Sequence, residues 1–366
     1  MGLRGVLCGV VLGTLASTSP AWSQGQQTPL AEAERDPLFA NFAESWYPQS
    51  IERRRPPFFD GGVYTRLDYV PLDGAAEAWD VCAVLPPEDF EYFRALAGGL
   101  RAEASRQGVR LTLEHVESFD VEAQARLVEA CLENDSDAII LSAVERDGFG
   151  SLLSRAYARR VPVIDAVTGV DHGRLTARIA TDRVDVGRVA GNFLADRHPA
   201  GAERARTVWI YGPPGSAVGA ELDRGFRAGI EGSSVEIVRA LEIPLTERAI
   251  REAIRDAVDE LGSFEALVGG SRTIELAFEE LAADFPPGSI ELVSVTLASS
   301  TLNGIGAGQV FAAVNDKVVV QGRIAVDLAV RAIEGIDHLA DLRPSLQIID
   351  RSNVDKFDRS TVLPPD

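Results

Sequence analysis

The stretch Trp79-Asp80-Val81-Cys82-Ala83-Val84-Leu85, stopped by Pro86-Pro87 and followed from Phe90 to Gln107 by apolar residues at helical spacing, sets the architecture. A short unbroken apolar run bounded by prolines reads as a strand buried on both faces. Phe93, Leu96, Ala97, Leu100 and Ala104 then form one helical stripe. The same couple recurs outward from it. Strands are predicted at 109–116, 138–144 and 161–166, with helices at 120–134 and 149–159 between them. The alternation restarts after Arg178-Ile179-Ala180-Thr181. Helices at 185–197, 220–230, 247–261 and 273–283 then separate strands at 207–211, 235–241, 266–268 and 291–297. Thr246 is the N-cap of the third of these helices. Such alternation predicts an α/β chain of two tandem Rossmann-like lobes with parallel sheets. The segments 310–314, 318–334 and 346–349 belong to one lobe or the other.

Residues 1–23 read as a secretory signal. Arg4 supplies the positive end, an apolar stretch runs from Gly5 to about Leu15, and Ala21-Trp22-Ser23 precedes Gln24. The stretch is too short to span a bilayer, and an uncleaved anchor is the alternative. Export to the periplasm is therefore expected. In that compartment Cys82 and Cys131 are either a disulfide pair or two buried thiols. Residues 24–78 are expected to be an irregular arm, with Trp46-Tyr47-Pro48 packed on a lobe. Arg53-Arg54-Arg55 reads as a solvated turn or as a docking patch for an acidic partner.

Composition narrows the function. The 366 residues carry 36 basic and 55 acidic side chains, a net charge of −19. That charge repels nucleic-acid backbones. Three cysteines and four histidines, none at metal-ligand spacing, argue against a zinc or iron–sulfur centre. The sequence contains neither a phosphate-cradling GxGxxG or GxxxxGK after the first strand nor a GxSxG elbow. Since no nucleophile, base and orienter can be named together, an enzyme is not expected, and no cofactor or metal is implied. Two open sheets in tandem instead suggest a cleft that closes on a ligand at the carboxyl ends of the strands.

Ile179-Ala180-Thr181-Asp182, followed by Val186-Gly187-Arg188-Val189-Ala190-Gly191, resembles the type I periplasmic binding proteins, the ribose-binding group. Within that family the chain is similar to the TorT-like branch. The carrying segments are Trp79 to Ala83, Ala138 to Leu141, Leu194 to Pro199, Leu292 to Val295 and Asn315-Asp316-Lys317-Val318-Val319-Val320-Gln321-Gly322-Arg323. The resemblance implies a first lobe of residues 79–182 and 316–340 and a second of 183–315 and 341–366. It implies a small polar ligand, trimethylamine N-oxide or another molecule, and a TorS-like sensor histidine kinase as partner. The mature chain would not insert in a membrane. The alternative is a receptor for an ABC transporter of sugars or similar solutes.

The expected cleft residues are Tyr92, Phe93, Asp182, Arg183, Thr296, Asn315 and Asp316. Tyr92 and Phe93 would give apolar or π contact, Asp182 and Asp316 would accept hydrogen bonds, and Arg183 would donate. Where the TorT-like branch carries further aromatics, this chain has Arg183 and Thr296. Arg183 would favour an anionic ligand, unless it merely pairs with Asp182 or Asp185. Likewise Phe93 is alternatively a core residue, and Asp316 a cap for the helix from Val318.

Overall fold

In a computed structural model, residue 2 and residues 49–54, 64–170, 172–336, 340–359 and 362 are described. The expected signal apart from residue 2, Trp46-Tyr47-Pro48, Arg55 and His338 lie outside them. Fourteen strands and nine α-helices are found among the described residues.

The first sheet is built around β3 (Asp80–Leu85), which is hydrogen-bonded in parallel to β4 (Arg110–His115) on one side and β5 (Ala138–Leu141) on the other. Val81 to Leu85 are all buried, as an apolar run paired on both edges requires. Next come β6 (Val163–Ala166), β7 (Ala177–Ile179) and β13 (Asp341–Pro344), also parallel. The crossovers are α1 (Glu91–Gln107), α2 (Val121–Glu133) and α3 (Gly150–Arg159). Asp120 starts α2 by accepting the amides of Glu122 and Ala123.

The second sheet runs in the order β14 (Gln347–Asp350), β12 (Ala312–Asn315), β11 (Glu291–Ser294), β10 (Ala266–Gly269), β8 (Ala205–Gly212) and β9 (Val235–Glu242). Only β14 is antiparallel to its neighbour. Its helices are α4 (Arg183–Arg197), α5 (Ala217–Ile230), α6 (Glu247–Leu261), α7 (Ser271–Leu281) and α8 (Ser299–Ala307). The Thr246 hydroxyl does cap α6, accepting from the Ala249 amide. The last helix, α9 (Val318–Ile333), returns to the first lobe and packs on α1. The chain thus crosses between the sheets at 180–182, at 316–317 and at Ser345-Leu346.

In each lobe one helix pair packs through glycine. In the first, a Cβ on Gly99 would lie 2.2 Å from the Val319 carbonyl oxygen, and one on Gly322 2.5 Å from that of Leu96. In the second, Gly187 and Gly191 of α4 face Gly225 and Gly229 of α5, and a Cβ on Gly225 would lie 2.0 Å from the Val184 oxygen. The Gly187…Ala190-Gly191 motif is therefore a packing device that lets two backbones touch. Trp209, fully buried, fills the space beside it, its ring 4.7 Å from that of Phe226.

Two expectations are corrected. The arm is not irregular throughout: β1 (Gln49–Arg54) and β2 (Tyr64–Tyr69) form an antiparallel pair added to the first sheet through β13. Arg53 and Arg54 therefore lie in a strand, not in a turn. The pair is fastened by Asp327 of α9, which accepts from the Tyr69 hydroxyl, the Leu72 amide at 2.7 Å and Gln107 at 2.8 Å. The third crossing also falls later than expected. Asp341–Pro344 belongs to the first sheet, not the second, because β13 sits between β1 and β7 with Leu342 in the core and Asp341 paired to Arg178.

The thiols of Cys82 on β3 and Cys131 on α2 form a disulfide. No helix among the described residues is long and apolar enough to cross a membrane.

Candidate functional site

The carboxyl ends of β3, β6, β11 and β12 come together where the chain crosses between lobes, and three of the seven expected residues form one buried cluster there. Tyr92 is in the first turn of α1, Arg183 is the first residue of α4, and Asp316 follows β12. The Tyr92 hydroxyl donates to Asp316 Oδ2. Arg183 Nη1 lies 3.5 Å from the same oxygen, and Arg183 Nη2 donates to the Val167 carbonyl at 2.7 Å. Arg183 is 7% exposed and Asp316 2%, so both charges are removed from water and must be matched locally.

The electrostatics follow from that burial. Burial, then the Asp316 charge, pushes the Tyr92 hydroxyl well above its usual range, so it remains a donor. Burial also pushes Asp316 up, opposed by the Arg183 guanidinium and the Tyr92 hydrogen bond. For Arg183, burial acts to lower the pKa, but Tyr92, Asp316 and Asp165 outweigh it and the guanidinium stays charged. Arg183 is therefore balanced by Asp316. It pairs with neither Asp182 nor Asp185, the two partners considered from sequence.

Phe93 touches this cluster through its ring, 5.3 Å from that of Tyr92 and edge-on. It is half-buried and continues into Phe90 and Phe119, whose centroids are 5.2 Å apart. The cluster thus adjoins a four-ring aromatic group, of which only two members were singled out in the sequence.

The remaining expected residues are engaged locally. Asp182 caps α4 through the Val184 amide and pairs with Arg343 at 3.2 Å. Asn315 accepts the Lys317 amide at 2.9 Å and so holds the second crossing, where Lys317 has a left-handed φ of 57°. Thr296 accepts the Ser271 amide and so ties β11 to the start of α7. Asp316 is not the cap of α9. That position is Lys317, and the Asp316 carbonyl instead accepts from Gln321 at 2.9 Å.

Five further residues join the site. Asp165, at the end of β6, is fully buried and accepts the amides of Gly169 and Val170. Burial raises it to about 7, against the pull of Arg178, those two amides and Arg146. The turn it organises contains Val167 at a φ of 77°, a strained conformation for a β-branched residue. The carbonyl of Val167 in this turn is the one that accepts from Arg183. Across the lobes, Glu91 accepts the Ser299 amide at 2.8 Å, and Arg146 donates to Glu221 at 2.7 Å. The only sequence signal for Asp165 is a carboxylate inside an apolar strand. The others look like ordinary surface charges or turn residues.

Among the described residues no group of three or more histidine, cysteine, aspartate or glutamate side chains is placed to hold a metal. Chemically, the cluster offers a charge-balanced guanidinium and carboxylate, a phenol and aromatic rings. That set can hold a small polar molecule by hydrogen bonds and ring contact.

Comparisons with known proteins agree with the two-lobed fold. TorT, a periplasmic protein of Escherichia coli K12, is 25% identical over 301 residues, covering 81% of this chain and 85% of TorT. The ribose import binding protein RbsB of Bacillus subtilis is 26% identical over 135 residues, 37% of this chain and 43% of RbsB. Among solved structures, an ABC transporter solute binding protein from Bradyrhizobium sp. BTAi1 with bound Bis-Tris matches at a TM-score of 0.78 and 28% identity, covering 88% of this chain and 97% of that one. The complex of the TorS sensor domain with TorT in the presence of TMAO matches at 0.72 and 25% identity, covering 78% and 97%. The resemblance to TorT-like proteins is thus found over most of the chain, on a type I periplasmic binding fold. Residues 81–337 match the model of the periplasmic binding protein domain, and the chain belongs to that family.

Proposed function

We propose that this chain is a periplasmic receptor without enzymatic activity. It binds a small polar molecule between its lobes and presents the closed form to the periplasmic domain of a sensor histidine kinase. The observation that carries this reading is the charge-balanced cluster of Tyr92, Arg183 and Asp316, with the rings of Phe93, Phe90 and Phe119 beside Tyr92. With Arg183 neutralised by Asp316, the site does not repel a ligand that carries its own separated charges. An amine oxide such as trimethylamine N-oxide is of that kind. Its oxygen would accept from Arg183, and its cationic methyl groups would meet the ring of Tyr92 or Phe93. The extent of similarity to TorT supports the kinase as partner. Asp182, Asn315 and Thr296 would shape the cleft through the hinge, without needing to touch the ligand.

A second reading is favoured by one observation. The Bradyrhizobium protein described as an ABC transporter solute binding protein matches more of this chain than the TorT complex does. A transport receptor would deliver its ligand to a permease.

The test has two arms. Thermal shifts of the mature protein are recorded with trimethylamine N-oxide, related methylamines, sulfate, phosphate, small carboxylates and pentoses. The protein, with whichever compound shifts it, is then titrated against the purified periplasmic domain of a sensor histidine kinase from its own organism. A shift with a methylamine oxide and ligand-dependent binding to that domain support the reading. A shift with pentoses alone, with no kinase binding, replaces it with the transport receptor.

A further inference from the structure

The first sheet ends in β2, and the charges on that strand complement those of an identical strand. We propose that β2 pairs antiparallel with β2 of a second copy of this chain, giving a two-fold dimer through one continuous sheet. This goes beyond the reading above and depends on neither ligand nor kinase.

Among the described residues β2 is paired with β1 alone and stands last in the order of its sheet. One row of its backbone N–H and C=O groups therefore faces away from the sheet. The strand is held in place before any partner arrives. Its six pairs with β1 run without a register shift. Tyr69 is 1% exposed, and its hydroxyl is fixed on Asp327. Little ordering is left to oppose association. Edges are commonly blunted by proline, a bulge or repeated like charge. Tyr64–Tyr69 has none of these.

Charge selects the occupant. Arg66 and Asp68 are both exposed and lie on one face of the strand. Neither forms an ion pair among the described residues. Self-pairing centred on Leu67 sets each Arg66 opposite Asp68 of the other copy, so the favourable pair occurs twice. Each Arg66 would then stand between that aspartate and Glu52, its neighbour on β1. Slipping by two residues one way sets Arg66 against Arg66, and the other way Asp68 against Asp68. A slip by one inverts the faces. The charges thus permit one register. Val70, 55% exposed, directly follows the strand and would be covered by the second copy.

The other edges lack this arrangement. In β4 the arginine, Arg110, is already taken by Asp80. The pairing of β9 with β8 is interrupted by two register shifts, and β14 has only four residues. The contact uses first-lobe strands alone, so the second lobe of each copy stays free to move. One strand pair is a small interface, and the dimer is therefore a weak one.

The experiment is sedimentation velocity of the mature protein, without ligand, over about 5 to 500 µM, a range that spans weak association. Wild type is compared with Arg66→Asp, with the swap Arg66→Asp/Asp68→Arg, and with Arg126→Asp, an exposed position on α2 that controls for net charge. Circular dichroism melts show that each variant is folded. Wild type and Arg126→Asp are expected to move from monomer toward dimer as concentration rises. Arg66→Asp turns two attractive pairs into two repulsive ones and should weaken association by about tenfold or more. The swap should restore it. A wild type that is monomeric throughout overturns the proposal. So does an Arg66→Asp variant that associates like wild type, or a swap that stays as weak as Arg66→Asp. The ligand panel and the kinase titration can fail without touching this result, and the reverse is also true.

Discussion

The hydroxyl of Tyr92, at the start of the first crossover helix, donates to the carboxylate of Asp316, 224 positions later in the chain. The bond joins α1 to the second hinge crossing, and Arg183 at the first crossing completes it from 3.5 Å. Hinge geometry is therefore carried by the same three side chains to which the proposed function gives the ligand chemistry. A change in one is felt in both.

Tyr92→Phe keeps the ring and removes the donor. The lost bond is to a charged, buried acceptor, so the expected destabilisation is about 1.5–3 kcal/mol. Arg183→Met leaves Asp316 without its counter-charge and is expected to cost about 3–5 kcal/mol. Urea unfolding of both single variants and the double variant measures the coupling. A coupling energy near zero would mean that the three groups do not act together.

Gly225→Ala places a methyl group where the Val184 carbonyl already stands, 2.0 Å away. The helices α4 and α5 must separate, and a loss of about 1–3 kcal/mol is expected, typical of overpacking. Gly232→Ala is not a fair control, because φ is positive there. Gly306→Ala is, since nothing lies within 4 Å of its Cβ position. Melting temperatures of the two variants should differ clearly, and equal values would refute the close-packing role.

The Cys82–Cys131 disulfide closes a separation of 49 residues. In the chain-entropy picture that stabilises the fold by about 4 kcal/mol. Denaturant midpoints with and without reductant, read beside a Cys82→Ala/Cys131→Ala variant, should both fall. If the midpoint does not move under reductant while free thiols appear, the bond contributes nothing to stability.

Asp165 gives a pH dependence with a definite sign. Its carboxyl is raised from 3.8 to about 7 by burial. Between those values the unfolded chain has lost this proton and the folded chain retains it. Its contribution is therefore fully present below about pH 4 and is lost as pH rises through about 7, at about 1.4 kcal/mol per unit. Asp165→Asn cannot ionise and should lack this slope. Stability curves from pH 4 to 8 for wild type and variant should diverge toward pH 8, with the variant the more stable. Parallel curves would show that Asp165 is ionised throughout.

Much of the fold was legible because strand and helix periods differ and the apolar runs are clean. Val81 to Leu85 and Ile139 to Leu141 allow few other readings. The hairpin β1–β2 was not legible. Its Arg53 and Arg54 suppress the alternation that marks a strand, and its partner β13 lies almost 300 residues away. Helix α8 was missed for a local reason. Ser299-Ser300-Thr301, Asn303 and the two glycines Gly304 and Gly306 give it poor intrinsic helix propensity, and packing within the second lobe enforces it instead. At the site, Tyr92, Arg183 and Asp316 were named but their mutual pairing was not, since nothing in a sequence says which of two nearby carboxylates an arginine will choose. Asp182 is the nearer in sequence, yet it is turned to its own helix and to Arg343. Glu91, Arg146 and Glu221 carry no pattern at all, because their meaning arises only when two lobes meet.

The most direct measurement is the thermal shift produced by the compound panel on wild type and on Asp316→Asn side by side. One small polar compound, expected to be a methylamine oxide, should raise the wild-type melting temperature in a concentration-dependent way. In Asp316→Asn that shift should be largely lost. No shift from any compound, or an equal shift in Asp316→Asn, would contradict a binding site built on Tyr92, Arg183 and Asp316.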